Sequence, residues 1–125
     1  SPMNEILAKF LLDGELTDLN TYINAERGNK FNGAKIKKTE TERIVWEVKN
    51  QCKHAKVSCE FKLFIRWFVK DKKKDPDNVA FAKKFILDGM VSAGLINTDG
   101  MKQVTSFQDE FYVDKEHPRI EIYLL

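Results

Sequence analysis

Residues 56–94, "KVSCEFKLFIRWFVKDKKKDPDNVAFAKKFILDGMVSAG", change hydrophobic period halfway along. Val57, Cys59, Phe61, Leu63, Ile65, Trp67 and Val69 alternate with Ser58, Glu60, Lys62 and Arg66, the period-two pattern of a half-buried strand. Phe64 and Phe68 fall in the second set, so part of the opposite face must also be covered, by a subunit interface or another helix layer. A basic loop follows, and then a helix. Asp75 suits the N-cap, Pro76 the first helical position, and Gly94 the stop.

The flanking chain has the same mixed character. "MNEILAKFLLDG" reads as a first strand closed by Asp13-Gly14, with a helical reading still open. "LTDLNTYINAERGNK" reads as a short helix capped by Thr17 or Asp18 and stopped by Gly28-Asn29. A longer helix is expected after Gly33, running to about Cys52, with Ile44, Val48 and Cys52 on one face. Two strands are expected around Val104–Tyr112 and Ile120–Leu125, with Pro118 tolerated just before the second. The order of elements predicts an α+β domain, a small mixed sheet of about four strands packed with about three helices.

A chain of 125 residues, 42% apolar with nine phenylalanines, fits one globular domain over residues 3–125. Ser1-Pro2 before Met3 reads as a cloning remnant. No segment has the apolar length of a membrane span, and the N-terminus lacks a secretory pattern. Cys52 and Cys59 have no metal-ligand company, so reduced thiols and a cytoplasmic location are expected. The net charge of +2 conceals local basic runs at Lys30, Lys35, Lys37 and Lys38 and at Lys70, Lys72, Lys73 and Lys74. Such runs suit a polyanion, or simply a solvated face.

The chemistry-bearing candidates lie around the second run. On one continuous helix, Phe81, Lys84 and Asp88 would share a face with Asp77 at offsets of four, seven and eleven. Asp99, in "LINTDGMKQV", precedes the next strand. If that strand lies beside the long one, Asp99 would return near Asp75 and Asp77. Three converging carboxylates repel unless a hard cation joins them, and oxygen donors suit Mg²⁺. The plainer reading is ordinary capping by Asp-Pro-Asp and an ordinary Asp-Gly turn.

"KDPDN", a helix with a lysine four residues before "DG", and "AGLINTD" before a strand together resemble the RusA-type Holliday junction resolvases. "LNTYINAERGNKFNGAKIKK" also resembles the phage branch of that family, and the likeness runs from Met3 over nearly the whole chain. The resemblance implies a homodimeric endodeoxyribonuclease of phage or prophage origin, acting on four-way junction DNA with no organic cofactor and no membrane. It assigns Asp75, Asp77 and Asp99 to catalysis and to Mg²⁺, with Mn²⁺ as the substitute, and Lys84 to catalysis. Extra residues separate Asp77 from that lysine, which leaves Lys83 as the alternative. Thr98 stands where the family often has a further acid. Lys74 matches a DNA-contacting position; Asn20 and Tyr22 match a looser polar–aromatic motif. With Lys30, Lys35, Lys37, Lys38, Lys70, Lys72 and Lys73 these form the expected DNA-binding set. Asp88 reads as a structural partner of Lys84, and neither His54 nor His117 is needed. The competing expectations are a non-catalytic branched-DNA binder and a Mg²⁺ nuclease preferring flaps or forks.

Overall fold

The computed structural model describes residues 5–125, so the reading of Ser1-Pro2 lies outside the described residues. Four strands form one mixed sheet in the order β1-β4-β2-β3. They are β1 (Ala8–Asp13), β2 (Phe61–Val69), β3 (Val104–Val113) and β4 (Arg119–Leu124). β4 is antiparallel to both β1 and β2, whereas β3 runs parallel to β2. A parallel pair needs a crossover, and the helical segment between β2 and β3 supplies it. The fold is α+β, as the element order indicates.

Helix α1 (Leu19–Gly28) is capped by Asp18, whose carboxylate accepts the Thr21 N–H at 2.8 Å. Helix α2 (Lys30–Gln51) begins earlier than the sequence suggests, with Asn29 accepting the Phe31 N–H. Gly33 is therefore not a boundary. It lies inside the helix and is buried against α1, where a Cβ would come within 2.4 Å of Glu26 Cγ. The expected third helix is broken at Phe81–Ala82 into α3 (Pro76–Ala80) and α4 (Lys83–Ser92). Gly94, at φ 80°, ends it.

The core lies between the helices and one sheet face. Phe61, Leu63, Ile65 and Trp67 of β2 meet Ile44 and Val48 of α2 and Phe85, Ile86 and Met90 of α4. Gly89 lets α4 close on α2: a Cβ would lie 2.4 Å from both Cβ and Cγ2 of Ile44. The strand itself is shorter than expected, since Val57 makes only an isolated bridge to Ile96.

The opposite sheet face is covered from within the chain, without a second layer. Phe64 is only 1% exposed. It stacks on Tyr123 at 5.7 Å and lies under the Arg66 guanidinium. Phe68 stacks on Tyr112 and carries Arg119 at 3.7 Å. Glu110 and Glu121 pair with Arg66, and Asp114 and Glu121 with Arg119. Planar guanidinium groups can lie on aromatic rings while ion-paired at their edges, which explains how two phenylalanines sit on a polar face.

Candidate active site and nucleic-acid interface

The basic loop after β2 leads straight into α3. Asp75 occupies the N-cap position but makes no side-chain capping bond, and Asp77 accepts the Asn78 N–H at 3.0 Å. Both aspartates are exposed, as are Lys70, Lys72, Lys73 and Lys74. Two contacts tie this loop to α1. Lys74 Nζ lies 2.8 Å from Asp18 Oδ2, and buried Asn78 accepts the Asn20 N–H at 2.9 Å. The Asp18 carboxylate raises the Lys74 pKa. Burial pushes Asp18 up, but Lys74 and the Thr21 N–H outweigh it and hold the carboxyl below its ordinary value. Tyr22 is half-buried and packs its ring against Phe81 and Phe85.

Asp99 belongs to a different neighbourhood. Its carboxylate lies 3.3 Å from Lys84 Nζ, which also pairs with Asp88 at 3.0 Å. Lys37 reaches Asp88 from α2 at 3.6 Å. Asp88 first, and then Asp99, raise the Lys84 pKa. Lys84 is thus engaged toward the far end of α4, not back toward Asp77, and the break at Phe81–Ala82 ends the single-face spacing that linked those two residues.

The expected neighbouring of the strands holds, but its consequence does not. β3 does lie beside β2, yet in parallel register, with Phe61 opposite Val104 and Val69 opposite Val113. The segment leading into β3 therefore arrives beside the start of β2, whereas Asp75 and Asp77 follow its end. Nine strand residues separate those ends, roughly 27 Å. Among the described residues no group of three or more His, Cys, Asp or Glu side chains is arranged to hold a metal ion. Asp75, Asp77 and Asp99 do not form a Mg²⁺ pocket within one subunit.

Lys83 and Lys84 are adjacent but have separate environments. Lys83 is largely buried, pairs with Asp109 and lies 4.2 Å from the centre of the Phe107 ring. Trp67 Nε1–H donates to the other Asp109 oxygen at 2.8 Å. Lys83 is thereby held as a structural cation, whereas Lys84, paired with Asp88 and Asp99 but with half its side chain exposed, is the more open of the two to a ligand. The Asp109 partnership was not legible in the sequence, because its members come from three separate elements.

The expected DNA-binding lysines form two exposed groups. Lys30, Lys35, Lys37 and Lys38 lie in the first half of α2, beside exposed Phe31, whose ring faces Lys30 at 5.6 Å. Lys70, Lys72, Lys73 and Lys74 line the loop before α3. Among the described residues Lys37 and Lys74 make acidic ion pairs, whereas Lys30, Lys35, Lys38, Lys70, Lys72 and Lys73 make none. Among the same residues, no helix is long and apolar enough to cross a membrane. Compared with known proteins, the chain matches no family model and no curated sequence.

Proposed function

We propose that the protein is a RusA-like endodeoxyribonuclease that binds four-way junction DNA as a homodimer and nicks it in a Mg²⁺-dependent reaction. The supporting observation is the surface at the head of α3. Two exposed aspartates stand beside exposed lysines, where the loop meets the first turn of α3, a junction anchored to α1 by Lys74–Asp18 and Asn20–Asn78. The lysines would hold the backbone phosphates and bring a scissile phosphate to Asp75 and Asp77. Lys84, carrying its charge at neutral pH, would add positive charge next to Asp99.

The metal half of this reading makes a specific demand. Because one subunit does not gather the three carboxylates, Asp99 would have to come from a second copy for all three to share one ion. A two-fold dimer also suits a junction of approximate two-fold symmetry.

One observation favours a second reading, a branched-DNA-binding protein without catalysis: Asp99 is already neutralised by Lys84 and separated from the other two acids. Labelled four-way junction, fork and linear duplex, each incubated with and without Mg²⁺, discriminate between the readings. The proposal expects Mg²⁺-dependent nicks on the junction and few on the duplex. A shift in mobility without nicks supports the binding-only role, and cutting concentrated on the fork supports a flap or fork nuclease.

A further inference from the structure

The two edges of the sheet are treated very differently. Along β1, the outward backbone is occupied by side chains of α2. Gln51 accepts the Leu11 N–H at 2.9 Å and donates to the Leu11 carbonyl at 2.7 Å. Just beyond α2, Cys52 Sγ–H donates to the Lys9 carbonyl, and Arg43 to that of Asp13. This edge is sealed against another strand.

β3, the other edge, is ten residues long, with no proline and no lysine. Asp114 donates its N–H to the Val69 carbonyl. A parallel-paired residue bonds the two residues flanking its partner, so Val69, opposite Val113, uses Tyr112 and Asp114. By alternation the even-numbered residues of β3 face β2. Phe107, Asp109, Phe111 and Val113 turn their backbone N–H and C=O groups outward. Phe107, Phe111 and Val113 are also 54%, 38% and 48% exposed. An open edge of this length, with apolar side chains exposed along it, is one that proteins otherwise blunt or cover.

We infer that β3 pairs antiparallel with β3 of a second copy, about a two-fold axis through Asp109, to give a continuous sheet across the two subunits. This deepens the dimer half of the reading above and rests on it for the choice of partner. The strand is self-complementary in that register. Of the outward-facing residues, Phe107 meets the second copy's Phe111, and Val113 meets its Thr105, which lies at the irregular start of the strand. On the other face Ser106 meets Tyr112 and Gln108 meets Glu110. The two Asp109 carboxylates come directly opposite each other, each already held by Lys83 and Trp67 of its own chain, and the two Glu110 carboxylates lie diagonally, each paired with Arg66 of its own chain.

Sedimentation of the wild type, Phe111→Lys and Val113→Lys tests the surface, with circular dichroism and melting to confirm folding. The wild type should be dimeric at micromolar concentration. Each lysine should weaken the dimer about tenfold or more while the chain stays folded. In a Cys59→Ser background, oxidising a mixture of Ser106→Cys and Tyr112→Cys chains should form a disulfide between the two. A monomeric wild type, a dimer untouched by both lysines, or no mixed disulfide would overturn the inference. Junction nicking by the same samples separates it from the nuclease reading. A β3-paired dimer that nicks nothing defeats only the nuclease, and nicking by a dimer that survives both lysines defeats only the surface.

Discussion

Lys83 and Lys84 show how one step along a helix changes what a side chain does. Lys83 neutralises the half-buried Asp109. Its replacement by alanine should lower stability by about 1–3 kcal/mol, because it strands that carboxylate, and thermal unfolding measures the loss. Lys84→Ala should leave stability within about 0.5 kcal/mol yet reduce junction nicking by about a hundredfold. Equal effects of the two substitutions on nicking would remove the distinction. Asp18 gives a pH-dependent prediction. Its folded pKa lies below the ordinary 3.8, so its contribution is complete above that value and lost as pH falls through the lowered one. The stability advantage of the wild type over Asp18→Asn, compared in melts from pH 6 downward, should therefore shrink below about pH 4. The Asp18 cap was legible in the sequence as one of two candidates with Thr17, because capping is local. Its Lys74 partner was not, because nothing near either residue specifies a contact between α1 and the β2–α3 loop.

Among elements, alternation marked β2, β1 was read as a strand with a helical reading still open, and caps placed the start of α1 at Thr17 or Asp18 and of α3 at Asp75. The errors came where tertiary contact overrides a local signal. Gly33 was read as a helix boundary, but α2 passes through it to pack on α1. Residues 76–92 read as one continuous helix because their apolar spacing continues across the break, which concealed the turn at Phe81–Ala82. Strand direction was the costly gap: no local signal sets β3 parallel to β2, and that direction decides where Asp99 lies. The two buried helical glycines give a test of packing. Gly89→Ala places a methyl group against the branched Cβ of fully buried Ile44 and near the Thr41 carbonyl, so it should cost about 1–3 kcal/mol. Gly33→Ala meets the exposed, flexible side chain of Glu26, which can swing aside, and should cost less. Chemical denaturation of the two variants compares them directly.

The whole molecule presents one helix-covered sheet face, one face closed by aromatic and guanidinium groups, one sealed edge and one open edge. Two groups of its lysines line the first half of α2 and the loop before α3, and both are candidates for phosphate binding. Junction binding should weaken steeply with salt. Replacing Lys72 or Lys73 by alanine should reduce the slope of log K against log salt by about 0.9 for each phosphate that is no longer neutralised. A slope unchanged by both would place the DNA elsewhere. The central claim is that Asp75 and Asp77 act on DNA held by that basic loop. Its most direct test is the cleavage of an end-labelled four-way junction by the wild type, Asp75→Asn and Asp77→Asn, in Mg²⁺ and in Mn²⁺, with binding followed in parallel. The account predicts paired nicks by the wild type alone, with junction binding retained in both variants; binding without nicks by the wild type in either ion, or nicking undiminished in both variants, would contradict it.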